Sequence, residues 1–189
     1  MGSNAAPTVV VMQTIGTLTL QSALDHPDLL GAPVRAALET WGHAAEVLVA
    51  AIDPAFADTA AMSERYDCPL DAGANCVVVM GKRAGDERIA ACVVRADTRA
   101  DVNTVVRKVL DVRKCSFLDH DRAVAETGME YGGISPLGLP DEWRVLVDTA
   151  ATEIDLAIIG SGVRGSKLFV PGRLLGELPG AEIVPDLAR

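Results

Sequence analysis

The run Thr127-Gly128-Met129-Glu130-Tyr131-Gly132-Gly133-Ile134-Ser135-Pro136-Leu137-Gly138 is the stretch whose main chain is best suited to chemistry. Adjacent Gly132 and Gly133 carry no Cβ and can take positive φ, so their N–H groups can be aimed at a carbonyl, an ester or a phosphate. Pro136 fixes its own φ and pushes Ser135 toward an extended backbone, which makes such a loop stiff as well as open. A second run, Gly160-Ser161-Gly162-Val163-Arg164-Gly165, fits G-x-G-x-x-G after an apolar stretch and has to be weighed as a dinucleotide fingerprint. It fails on context. The third glycine should lie in an opening helix, whereas Ser166 to Val170 reads as extended, and too little chain follows for a nucleotide-binding half. Cys68, Cys76, Cys92 and Cys115 contain no C-x-x-C pair, and His26, His43 and His120 have no zinc-ligand spacing, so no metal site is expected. Nor is there a Ser-His-Asp order with a nucleophile elbow.

The first run, T-G-x-x-x-G-G-I-S-P-x-G, resembles the signature loop of the YbaK family, free-standing relatives of the editing domain inserted in bacterial prolyl-tRNA synthetases. The second run is similar to the S-G-G-K-R-G loop bordering that family's pocket, with Gly162, Arg164 and Gly165 kept. The resemblance covers roughly residues 46–187 and implies an α+β fold, a compact mixed β-barrel-like sheet flanked by helices. It implies hydrolysis of the ester joining a small wrong amino acid to the terminal adenosine of a tRNA, proline tRNA foremost, without metal, cofactor or protein nucleophile. An aminoacyl ester is already activated, so orientation, oxyanion stabilisation and a positioned water or ribose hydroxyl suffice.

On that resemblance the expected catalytic residues are Gly132, Gly133, Ser135 and Asn75. The glycine N–H groups would hold the carbonyl or amino-acid end, with Ser135 and Asn75 as polar orienters. Thr127, Ile134, Pro136, Gly162, Arg164, Gly165 and Lys167 are the expected substrate-binding residues, Arg164 and Lys167 toward phosphate or ribose. Two positions depart from the family. Its usual lysine, at the start of the strand that begins Asn75-Cys76-Val77, is Asn75 here, and an aspartate that several members carry after the second loop is Lys167. Either Lys167 supplies the cation from the other side of the pocket, or the pocket serves a weakened binding or regulatory module for an aminoacyl or nucleotide ligand. The implied partners are a tRNA 3′ end and an aminoacyl-tRNA synthetase, with no membrane and no DNA.

These groups need elements to hold them. Thr8 to Met12, Thr17 to Leu20, Glu46 to Ile52, Ala74 to Met80, Ile89 to Val94, Trp143 to Asp148, Ile154 to Ile159, Lys167 to Val170 and Glu182 to Val184 read as strands. The Ala74 and Ile89 runs read as a hairpin around a polar turn, Gly81 to Glu87. Helical spacing is expected from Pro33 to Thr40, from Asp53 as a cap to Tyr66, from Asp101 to Val112, from Asp119 to Thr127 with Gly128 as its C-terminal glycine, and from Pro171 to Leu178. Asp119-His120-Asp121 is read as a helix start and not a ligand set, because consecutive residues point in different directions.

At 189 residues, with 49% apolar and 23% charged residues, the chain suits one folded domain. Aromatic residues are only 4%, so the core must be Val, Leu, Ile and Ala. A net charge of −9 opposes extensive phosphate-backbone binding, so a nucleic-acid substrate must be touched locally. No bilayer-length apolar run or signal-peptide pattern occurs, and a cytoplasmic protein is expected. Residues 1–42 are expected as a partly helical extension and 43–189 as the domain itself.

Overall fold

The computed structural model describes residues 13–189, so the strand expected at Thr8 to Met12 lies outside the described residues. In chain order the elements are β1 (Gln13–Ile15), β2 (Leu18–Ser22), α1 (Ala32–Thr40), β3 (Leu48–Ala51), α2 (Thr59–Tyr66), β4 (Ala74–Arg83) and β5 (Asp86–Arg95). They continue with α3 (Arg107–Val109), β6 (Cys115–Phe117), α4 (His120–Thr127), β7 (Arg144–Asp148), α5 (Thr149–Thr152), β8 (Ala157–Gly160), β9 (Ser166–Val170) and β10 (Ala181–Val184). They form two five-stranded sheets, ordered β1-β2-β3-β9-β8 and β10-β7-β5-β4-β6. The second is mixed, since β7 runs parallel to both β5 and β10. The sheets meet where Gly73, just before β4, bridges to Ile158 on β8, and together they curl into a half barrel.

Local chemistry explains most element limits. β2 alternates Leu18 and Leu20 inward with Thr19 and Gln21 outward, the period of a half-covered strand. The β4–β5 hairpin turns on Ala84 (φ +53) and Gly85 (φ +98), the positive pair that suits a two-residue hairpin. Its strands run beyond the expected ends because the charged residues read as a turn are ladder partners. Lys82 sits opposite Glu87, with Nζ 3.3 Å from Oε1. The helix expected from Asp53 to Tyr66 is broken in two. The Asp53 carboxylate caps a single 3-10 turn, Pro54–Phe56, by accepting the Ala55 N–H, and the chain restarts at Asp58 as α2. Asp101 to Val112 is likewise not one α-helix: Val102–Val106 is a π turn that runs on into α3. Its valines and Leu110 nevertheless bury one face. α4 keeps its expected limits, with Asp119 accepting the Arg122 N–H and Gly128 at φ +65 as C-cap.

The main core lies between α1 and both sheets, where Val34 and Leu38 meet Val49, Val93, Val147 and Leu168. Residues 13–42 therefore supply two strands and a helix to the same packed unit as the rest. At the far side Asp148, 5% exposed, accepts the Ala150 N–H at 2.8 Å and the Ala188 N–H at 2.7 Å, capping α5 and tying down the C-terminal segment. Removing that carboxylate in Asp148→Ala orphans two half-buried donors. A loss of about 2–4 kcal/mol is expected, read as a lower urea midpoint at unchanged slope.

Candidate functional site

The signature run begins where α4 ends. The Thr127 hydroxyl donates to the Ala123 carbonyl at 2.7 Å and accepts the Met129 N–H, so it shapes the helix exit and is buried. Glu130 to Gly133 then form a turn, closed by the Gly133 N–H on the Glu130 carbonyl at 2.9 Å. Gly132 is its third residue and has φ +80, the conformation a type II turn reserves for glycine. Gly133 thus has its N–H committed within the turn and is not free to hold a substrate carbonyl. Its backbone packs so tightly on the second loop that a Cβ there would lie 2.5 Å from the Val163 carbonyl oxygen. Ser135 is fully buried; its hydroxyl accepts the Leu137 N–H, and its own N–H meets the Met129 sulfur. Ser135 and Pro136 therefore stiffen the loop from behind and are not part of the lining of the cavity beside it.

The second glycine run is the connection between β8 and β9, an antiparallel pair in which Gly160 faces Lys167. No helix opens there, which disposes of the dinucleotide geometry. The Gly162 N–H donates to the Gly133 carbonyl at 2.8 Å, and its carbonyl accepts the Glu130 N–H at 2.9 Å. The Gly165 carbonyl accepts the Ile52 N–H, joining this loop to the end of β3. The Gly31 N–H, before α1, donates to the Ser161 carbonyl, and the Ser166 hydroxyl donates to the Leu29 carbonyl at 2.5 Å. The first loop thus leans on the second, and the second on the segment before α1.

Arg164, though partly exposed, is tied to protein carbonyls. Its guanidinium donates to the Pro54 carbonyl at 3.0 and 3.2 Å and to the Tyr131 carbonyl at 3.1 Å. Asp58 lies 3.7 Å away, exposed enough to add little. The arginine is a strap between the 3-10 turn and the signature turn.

A cavity of about 270 Å³ opens beside this turn, bounded by Asp58, Thr59, Met62 and Ser63 of the α2 region, Asn75 and Cys76 of β4, Tyr131, Gly132 and Ile134 of the loop, and Lys167 of β9. It lies just under the roughly 300–1,000 Å³ of drug-sized ligand sites, so it suits a small group. Four of the expected residues line it: Asn75, Gly132, Ile134 and Lys167. Gly133, Ser135, Thr127, Pro136, Gly162, Arg164 and Gly165 build its frame instead. Asp58, Thr59, Ser63 and Tyr131 were not anticipated. Asp58 and Thr59 were read as interior residues of one helix from Asp53 to Tyr66, so nothing marked them as facing a cavity.

Lys167 is 7% exposed, and its Nζ donates to the Gly132 carbonyl at 3.2 Å. Burial chiefly, then the nearby Arg164, pull its ammonium down to about 8, with Asp58 partly opposing. Across the cavity the Asn75 amide oxygen accepts the Thr59 hydroxyl at 2.7 Å, which leaves the amide NH₂ to donate elsewhere. Cys68 and Cys76 also border the space. Burial pushes both thiols up, Cys76 to about 12, so neither offers a thiolate nucleophile near neutrality. Among the described residues no helix is long and apolar enough to cross a membrane.

The half barrel thus carries a small cavity bordered by the glycine turn, the α2 region, Asn75 and Lys167. The chain belongs to the aminoacyl-tRNA editing domain family, whose pattern matches residues 53–177. Over 81 residues it is 30% identical to proline-tRNA ligase of Listeria welshimeri, a stretch that is 42% of this chain and 14% of the ligase. The corresponding ligase of Listeria monocytogenes serotype 4a matches equally, at 30% over 81 residues, again 42% of this chain and 14% of the ligase. Among solved structures, one described as a candidate trans-editing enzyme for prolyl tRNA synthetase superposes with TM-score 0.68 at 16% identity, covering 82% of this chain and 94% of that one. A hypothetical protein superposes with TM-score 0.62 at 21% identity, covering 70% of this chain and 85% of that one. These two share the fold. The family match begins after β3, so β1, β2, α1 and the Gly31 support of the second loop lie outside it.

Proposed function

We propose that the chain is a trans-acting aminoacyl-tRNA deacylase, hydrolysing the ester of a small mischarged amino acid, with proline tRNA as the favoured carrier. The observation that carries this reading is the cavity itself: a small space with the signature turn on one side and Lys167 and the Asn75 amide on the others. Water adds to the ester carbonyl, the acyl–oxygen bond to the ribose breaks, and the ribose oxygen leaves with a proton. Lys167 supplies the positive charge near the developing oxyanion, and the Asn75 NH₂ orients the ester or amino group. The backbone of Gly132, the loop glycine that borders the cavity, lets the ester approach without a side chain between. Lys167 thereby takes the part of the lysine that Asn75 replaces. The route uses only groups of this chain and asks for no metal.

Discrimination rests on size. A cavity separates residues differing by one methylene by only about 1–3 kcal/mol, so it acts by excluding the larger correct residue and admitting smaller wrong ones. The test is release of labelled amino acid from a panel of mischarged tRNAs, alanine and cysteine on proline tRNA included, with and without a chelator. Chelator-insensitive release from the small-residue members is expected, falling about tenfold in Asn75→Ala. No release from any member by folded protein would overturn the deacylase and leave the cavity as a binding site for an aminoacyl or nucleotide ligand.

A further inference from the structure

Tyr131 is conspicuous because it is 52% exposed while everything around it is fixed. Its own carbonyl is held by Arg164 and the next carbonyl by Lys167, within a turn closed from Glu130 to Gly133. Its ring lies against the imidazole of His120 at the start of α4, with centroids 3.9 Å apart and planes 36° from each other. Both residues are exposed, yet Tyr131 also borders the cavity. A chain with 4% aromatic residues has placed one ring on the border of its pocket and packed a second against it.

We infer that the Tyr131–His120 pair is a stacking platform for the nucleobase attached to the ribose whose ester enters the cavity. This rests on the deacylase reading. There the acyl group fills the pocket and the ribose sits at the rim, so the base must lie within one sugar's length of the opening. Tyr131 is the ring that touches that opening. Stacking also answers an electrostatic difficulty: at net charge −9 the protein gains little from the phosphate backbone, whereas base–aromatic contact is insensitive to net charge. A ring on a braced turn loses little freedom on binding, so most of the contact is retained as affinity.

The probe is adenosine 5′-monophosphate, followed by proton NMR as its H2 and H8 resonances shift upfield over an aromatic ring. Shifts that saturate with wild type, vanish in Tyr131→Ala and return in Tyr131→Trp are expected. In deacylation of alanylated proline tRNA, Tyr131→Ala should raise KM about tenfold with kcat held within twofold, and Tyr131→Trp should restore KM. Equal nucleotide shifts in wild type and Tyr131→Ala, or a working deacylase whose KM ignores the substitution, would overturn the platform and leave the deacylase standing. Ring-dependent nucleotide shifts without any deacylation would do the reverse.

Discussion

A Gly132→Val protein folds and has lost at least a hundredfold in deacylation: this is the result expected from the signature turn. Gly132 sits at φ +80, where a β-branched residue is a true outlier. A Cβ there would come within 2.2 Å of the Arg164 guanidinium. The arginine is the far end of a flexible side chain and can swing away, so the backbone need not unfold. Swinging away, however, releases its bonds to the Pro54 and Tyr131 carbonyls together. The turn then loses the geometry that carries the Gly132 carbonyl to Lys167. Stability should fall by about 1–3 kcal/mol while activity falls far more. Gly42 provides the control, since nothing lies within 4 Å of a Cβ there, and Gly42→Ala should match wild type in both respects. The measurement pairs thermal melts with single-turnover deacylation. A folded Gly132→Val protein with wild-type rate would remove the turn from the mechanism.

Lys167→Ala carries the second large effect. On the deacylase reading, a preorganised cation beside the ester carbonyl is worth about 10²–10³ in kcat, and that is the loss expected, with KM much less affected. The pH dependence distinguishes a cation from a base. Because the folded ammonium titrates near 8, a cationic role requires the rate, corrected for spontaneous ester hydrolysis, to decline as pH rises through about 8. A rate that climbs through the same window would make the neutral amine the active form. Stability moves the opposite way. Between about 8 and the ordinary lysine value near 10.5 the unfolded chain holds the proton and the folded one does not. Folding therefore gains up to about 1.4 kcal/mol per pH unit on going alkaline, an increment that Lys167→Ala should lack. Urea titrations at several pH values read it directly.

How far these features were legible depends on how local their causes are. α4 was readable to its ends because Asp119 and Gly128 act within one turn of the helix. The hairpin was readable in kind, but its length depended on Lys82 meeting Glu87, a pairing that exists only once the register is set. The break before α2 was not readable: Asp58 stands at the N-cap position but its carboxylate makes no capping bond, whereas Asp53-Pro54 gave a strong start signal for a single helix. β1 and β6 were missed, being three-residue edge strands with scarcely a period to read.

The candidate site divides in the same way. Glycine type announced the loop, yet which glycine keeps a free outlook depends on one hydrogen bond, Gly133 N–H to the Glu130 carbonyl. Arg164 showed a charge in the sequence and nothing of the carbonyls that consume it. The contributions of Thr59 and Ser63 came from where α2 packs, a tertiary fact with no counterpart in helical periodicity.

The glycine contacts behind the pocket bear on how such a protein can change over generations. Gly31 against Gly162, Gly133 against Val163, and Gly160 against the Gly133 and Ile134 carbonyls bring main chain to main chain with no room for a Cβ. An ordinary core tolerates drift, because a lost methyl at one position can be made good by a gained methyl at its neighbour. A seam without side chains has nothing to trade. Mutational freedom is displaced onto Met62 and Ile134, which line the same cavity with adjustable bulk. The size of the cavity can then be altered through those side chains while the glycine seam behind them stays as it is.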